Sequence, residues 1–255
     1  MAVGVGASMT RIFLSARRRT ILAAALCLFG APAAANDQAL IDFVGYSSDF
    51  RYFAFEEYGT LDGSSSAYSN IHILDLWTDK EIPGSPFSAE GREDDKTLSQ
   101  VRREEGDAAG ADLKKLEIDT PVQIAALLGD GIAGEGTEMH FAFPSTGGPG
   151  STQGDYTLAL ESFYLPPAPA CEERIADPGK GFALLVSGDG KVRETHRDTS
   201  VPAWRECSTA YRLYAVVFPH VYPQIVSAVA IVAFFPPGWE GVNRRFVAVP
   251  IGTRP

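Results

Sequence analysis

Adjacent acidic side chains invite a catalytic reading, and Glu56-Glu57 is the first such pair in this chain. Two carboxyls that share a proton or flank a bond can divide general-acid and general-base work between them. The pair closes an aromatic run, Arg51-Tyr52-Phe53-Ala54-Phe55-Glu56-Glu57-Tyr58, whose residue types suit a pleated strand. On a strand, neighbours project to opposite faces, so these two carboxyls cannot share one proton. Phe53 and Phe55 share a face with Glu57, while Tyr52 and Ala54 share one with Glu56. The plain expectation is one solvated glutamate and one hydrogen-bonded at the hairpin end.

Three other groups carry chemistry. Asp62-Gly63-Ser64-Ser65-Ser66 is an oxygen-rich loop of the kind calcium accepts, but it lacks the spaced acids and terminal glutamate of an EF-hand and reads as a connection. Glu93-Asp94-Asp95 reads as a helix-start charge cluster. The segment Pro236–Arg245 places Trp239, Glu240, Arg244 and Arg245 on one short connection. An aromatic, a carboxylate and two guanidinium groups can hold a sugar or a peptide terminus; the alternative is a hairpin loop whose Trp239 caps the core and whose arginines pair with acids. Glu56, Asp62, Trp239, Glu240, Arg244 and Arg245 are therefore the candidate ligand-binding residues. His72, His140, His196 and His220 show no ligand spacing. There is no Gly-x-Ser-x-Gly, His-Glu-x-x-His or phosphate-loop motif, so no catalytic residue, metal site or cofactor is assigned.

The elements that would position these residues are mostly strands. Phe43–Tyr46, the aromatic run and Asn70–Leu76 form an antiparallel hairpin region with a polar connection at Gly59–Ser69. Residues 94–117 repeat apolar side chains near a 3.6-residue period, a helix that Gly106 and Gly110 are expected to break in two. Thr120-Pro121 through Gly129 carries an N-cap, a first-turn proline and a glycine stop, the marks of a second short helix. Ser145–Gly154 is a glycine-rich loop. Tyr156–Leu165, Phe182–Ser187, Lys191–Thr195, Arg212–Phe218, Ile225–Phe235 and Arg244–Ile251 are strands, with a tight turn at Gly188-Asp189-Gly190. Ile225–Phe235 is almost wholly apolar yet too short to span a bilayer, so it reads as a central buried strand.

The N-terminus sets the compartment. Arg11 and Arg17-Arg18-Arg19 precede a short apolar core, Ile21–Gly30, and Ala33-Ala34-Ala35 offers a cleavage site before Asn36. Residues 1–35 are expected to be a cleaved export signal, leaving no membrane span and a periplasmic or secreted protein. Cleavage removes four of the 22 basic residues and none of the 32 acidic ones, for a net charge of −14. Such a chain is poorly suited to nucleic acid, whose phosphates demand a basic stripe. Cys171 and Cys207 remain, and in an oxidising compartment they are expected to pair.

Two resemblances follow from these residues. Tyr46-Ser47-Ser48-Asp49-Phe50-Arg51-Tyr52-Phe53-Ala54-Phe55, returning as Ile71-His72-Ile73-Leu74-Asp75-Leu76, resembles one blade of the propellers in periplasmic TolB-like proteins. It occurs once, whereas a propeller repeats, so a blade-like hairpin is expected and not a propeller. The chain as a whole resembles bacterial predicted secreted proteins of unknown function. The residues behind this are that hairpin, Tyr58-Gly59 with Asp62-Gly63-Ser64, Gly181-Phe182-Ala183-Leu184 and Asp198-Thr199-Ser200-Val201-Pro202. Cys207, Tyr211-Arg212-Leu213, Gly238-Trp239-Glu240-Gly241 and Arg244-Arg245-Phe246 complete them. The resemblance implies an exported globular protein and transfers no activity.

The expected architecture is mainly β (α+β) with antiparallel sheets: an N-terminal hairpin region at 36–92, a helical insertion with the glycine-rich loop at 93–154, and a β-sandwich-like part at 155–255. The expected function is a non-catalytic binding or interaction module of the cell envelope whose partner is an envelope protein or small ligand. The alternative is a periplasmic hydrolase acting on glycans or peptides through paired carboxylates. No residue pattern specifies an oligomeric state.

Overall fold

The computed structural model describes Met1 and residues 36–61, 63–91, 96–166, 179–205, 207–238 and 241–252. The expected export signal and Cys171 therefore lie outside the described residues. Fourteen strands and one α-helix are found among those that are described. Antiparallel pairing joins the strands into three sheets, as expected for a mainly β chain. Among the described residues, no helix is long and apolar enough to cross a membrane.

The first sheet is built on β1 (Leu40–Ser47), β2 (Tyr52–Thr60) and β3 (Ala67–Asp75). Short strands β4 (Lys80–Glu81) and β5 (Phe87–Glu90) pair with β3, and β6 (Ile118–Thr120) pairs with β1. The β2–β3 connection is shorter than expected, because Gly59 and Thr60 pair with Tyr68 and Ala67. A Cβ on Gly59 would lie 3.1 Å from the Tyr68 ring. That ring covers the glycine and gives the position the apolar cover its own residue lacks.

The second sheet has the order β11 (Lys191–Arg197), β10 (Lys180–Gly188), β9 (Thr152–Tyr164), β8 (Glu138–Pro144). The third runs β14 (Arg245–Pro250), β13 (Val229–Phe235), β12 (Ala210–Pro219), β7 (Val122–Leu127). The third sheet is the middle layer, and along β13 and β14 successive side chains alternate between two partners. Ile231, Ala233, Phe246 and Ala248 share a core with Phe53, Phe55 and Tyr46 of the first sheet. Val232, Phe234 and Val249 share another with Phe182, Leu184 and Leu158 of the second. Burial on both faces explains why the β13 segment is apolar throughout. The strand begins at Val229, because Ile225–Ser227 forms a 3₁₀ turn.

Helix α1 (Leu98–Lys115) covers the outer face of the first sheet. It starts at Thr97, whose N–H donates to Gln100 Oε1 at 2.8 Å, a local satisfaction of an otherwise orphaned donor. Val101, Glu105 and Ala109, one turn apart, are its buried stripe. Gly106 and Gly110 do not break it: both face open space, so only their intrinsic helix cost is felt. The second expected helix is absent. Residues 118–127 instead form β6 and β7, because β12 needs an edge partner and Val122–Leu127 supplies its ladder. Tertiary pairing outweighs the local capping signals there.

Candidate functional site

On one side of the stack a trench opens, bounded by β3 and β4 of the first sheet, edge strand β14 of the middle sheet, and β11 with the segment after it from the second. Its volume is about 540 Å³, and Asp79, Glu81, His196, Asp198, Trp204 and Arg205 supply most of its chemistry. A neighbouring hollow of about 350 Å³ shares His72, Glu81, Trp204 and Phe246 with it and adds Glu57 and Arg245.

The centre of the trench is a clasp between sheets. His196, at the end of β11, lies 3.4 Å through Nδ1 from Asp79 Oδ2 on the β3–β4 turn. Its Nε2 lies 3.1 Å from Asp198 Oδ1. Asp198 Oδ2 accepts from the Phe182 N–H at 2.9 Å and from Arg205 Nη1 at 2.5 Å. The His196 ring stacks on Phe182 at 4.8 Å, and the Arg205 guanidinium lies over the same ring at 4.8 Å. Burial by itself would lower the His196 pKa, but hydrogen bonds and charge from Asp198 and Asp79 outweigh it and raise it to about 9. Burial would raise Asp198, yet His196 and Arg205 hold it below the usual aspartate value. The imidazole is thus a cation with a carboxylate at each nitrogen, and near neutral pH it has no free ring nitrogen to act as a base.

A second imidazole lines both hollows. His72 stacks nearly parallel on Phe55 at 4.6 Å, and its Nδ1 lies 2.7 Å from Glu81 Oε1. Trp204 is half exposed and packs edge-on against Phe234 at 5.6 Å, presenting ring surface at the rim. Among the described residues, no group of three or more His, Cys, Asp or Glu is placed to hold a metal ion.

Glu56 and Glu57 do project to opposite faces, but both are buried; the expectation of one solvated glutamate is corrected. Glu56 faces α1, accepting from the Ser69 hydroxyl at 2.8 Å and from Arg102 at 2.8 and 2.7 Å. Arg102 also pairs with Asp42 and lies over the Tyr58 ring at 3.7 Å. Glu56 is therefore a helix anchor, remote in role from the trench. Glu57 faces the middle sheet and accepts the Phe246 N–H at 2.7 Å. Burial raises its pKa against the opposing charges of His72 and Arg245.

The two arginines part company as well. Arg244 is buried, donating to the Ala39 carbonyl at 3.0 and 2.6 Å and pairing with Asp130. Arg245 lines the smaller hollow, donating to Tyr68 Oη at 2.9 Å with Glu57 at 3.6 Å and Asp37 at 3.3 Å. Asp62, Trp239 and Glu240 lie outside the described residues. The groups that do converge, His72, His196, Asp198, Trp204 and Arg205, escaped the sequence reading because they are scattered along the chain. One local signal was present: His196-Arg197-Asp198 sets a histidine and a carboxylate two apart at the end of a strand, where both share a face.

A search of curated proteins and a search of solved structures both return no match. Neither search supports the expected resemblance of the β2–β3 hairpin to a propeller blade. A family model described as predicted secreted protein (DUF2259) matches residues 54–252, which take in the trench, the second and third sheets, and the first sheet from within β2 onward. The chain belongs to this family of predicted secreted proteins.

Proposed function

We propose that this protein is a non-catalytic binding module of the cell envelope that takes its ligand in the trench between the three sheets. In this reading residues 1–35 direct export and are removed after Ala35, the mature chain works in the periplasm, and a Cys171–Cys207 disulfide ties the 171–207 region together. The observation that carries it is the mutual locking of the trench's titratable groups. His196 is held charged between Asp79 and Asp198, and Asp198 is held by Arg205. Groups paired in this way present fixed charge and shape to a ligand, and the protonated imidazole has no free ring nitrogen to act as a general base. A concave wall with an exposed aromatic and a few convergent polar groups is the usual form of a ligand site.

One observation favours a hydrolase as the second reading. Glu57, whose pKa burial raises, shares the smaller hollow with Glu81, and an upward-shifted carboxyl is the kind of group a general acid uses. A single experiment separates the two. The protein is incubated with arrayed envelope glycans and peptides, and what it retains is recovered and weighed by mass spectrometry. Capture that is lost in Trp204→Ala, with the ligand recovered intact, supports binding. Recovery of cleaved product that disappears in Glu57→Gln establishes the hydrolase, and capture indifferent to Trp204 removes the trench from the account.

A further inference from the structure

Strand β14 is the last strand of the middle sheet on the trench side, and its outer edge is only partly used. In an antiparallel pair, alternate residues direct both backbone groups toward the partner and the residues between direct them away. The Phe246 N–H goes to Glu57, away from β13, while the Ile251 N–H goes to Ala228 beyond the ladder. The parity places Val247 and Val249 in hydrogen bonds with β13 and turns the Phe246 carbonyl and both Ala248 backbone groups outward. These three have no protein partner among the described residues, although Phe246 and Ala248 are buried and line the trench. Buried backbone groups almost always find a partner, and on a sheet edge the natural one is another strand.

The same edge already accepts such a strand at its upstream end. Gln38 forms a parallel bridge with Arg244, the Ala39 N–H donates to the Arg244 carbonyl, and the Arg244 N–H donates to the Asp37 carbonyl. This segment then leaves as β1 for the first sheet, and the trench takes over where it departs. The charges around the trench are unequal in availability. Asp79, Asp198 and Glu81 are each engaged by a histidine or arginine. Lys80 has no ion-pair partner among the described residues, and the buried Arg205 Nε is unpartnered. In a strongly acidic protein, the trench thus offers the exposed Lys80 ammonium and one unused N–H, the Nε of an Arg205 whose Nη1 is held by Asp198.

We infer that the outer edge of β14 takes an acidic peptide as an added extended strand, its backbone pairing with Phe246 and Ala248 and its carboxylates meeting Lys80 and Arg205. This rests on the trench being the binding surface and deepens that reading by naming the ligand. Strand addition draws affinity from main-chain hydrogen bonds and specificity from pockets for alternate side chains; Trp204 and the hollow beside Glu57 provide them.

The test uses a randomised decapeptide display library selected against the protein purified from the extracytoplasmic fraction. Enriched peptides are remade with N-methyl groups at every second residue, in both registers. An added strand exposes one register of amides to β14 and the other to solvent. Methylation in the first should cost about tenfold or more in affinity and in the second much less. Enriched sequences should be rich in Asp and Glu, and Lys80→Glu, a change at an exposed site, should weaken them. Peptides that bind with Trp204 dependence but respond equally to both registers overturn strand addition and leave the trench as binding surface. Binding that ignores Trp204→Ala overturns both.

Discussion

Half-buried His196 and buried Glu105 both bind their protons more tightly in the folded chain, the one because its charged form is favoured and the other because its charged form is penalised. His196 binds its proton more tightly in the folded chain, with a pKa of about 9 against an ordinary 6.5. The clasp's contribution is complete below about pH 6.5 and is lost as pH rises through 9. The difference in unfolding free energy between the native chain and His196→Gln should therefore shrink across that interval in urea titrations. Asp79→Asn should bring the histidine's own pKa, followed by NMR, down toward the ordinary value; an unchanged titration would separate Asp79 from the clasp. Glu105 has the same sign in a lower pH window. Buried under α1 with Glu56 nearby, its carboxyl is raised to about 6 from 4.5, burial being the main cause. It too holds its proton more tightly when folded, and here the charged form is the penalised one. Stability conferred at this site rises as pH falls from about 6 to 4.5. Glu105→Gln, which can still accept from the Ile71 N–H, should be more stable than the native chain near neutral pH, with the advantage vanishing in acid.

Elements show why some of the fold was legible and some was not. The Val229–Phe235 strand announces itself because both faces are buried, which demands apolar residues at every position. Ile231→Ala, at a site with no exposure, should cost about 2–5 kcal/mol in chemical unfolding. Helix α1 was legible from its stripe, but its continuity was not: glycine carries a propensity cost visible in sequence, whereas the sheet beneath the helix is not. Since a Cβ at Gly106 meets nothing, Gly106→Ala should stabilise the protein by about 1 kcal/mol. Strand β7 was misread because its local signals, Thr120, Pro121 and Gly129, describe a helix. The deciding partner, β12, lies about 90 residues downstream and leaves no trace in the segment itself. Glu56 and Glu57 were correctly placed on opposite faces, since alternation is local. Their burial was not readable, because it depends on α1 and β14 covering the two faces.

For the whole molecule, the three-layer stack explains both where the core lies and where the trench must be. A middle sheet buried on both faces leaves its edges as the places where backbone and ligand can meet, and edge strand β14 borders the trench. The site drew on histidines, an aspartate, a tryptophan and an arginine from separate elements, so no spacing in the sequence could reveal it beyond the His196–Asp198 pair. Charge and compartment belong to this scale as well. In the proposed reading, a small cationic notch on an acidic body selects for acidic partners that the remaining surface repels.

Amide chemical-shift mapping of the isotopically labelled protein, titrated with a peptide selected for binding, tests the central claim most directly. The account predicts that shifts concentrate at Lys80, Trp204, Arg205 and the amides of β14, with the Ala248 amide gaining protection from exchange. Shifts concentrated on the α1 face, or on strands away from the trench with β14 unmoved, would contradict it.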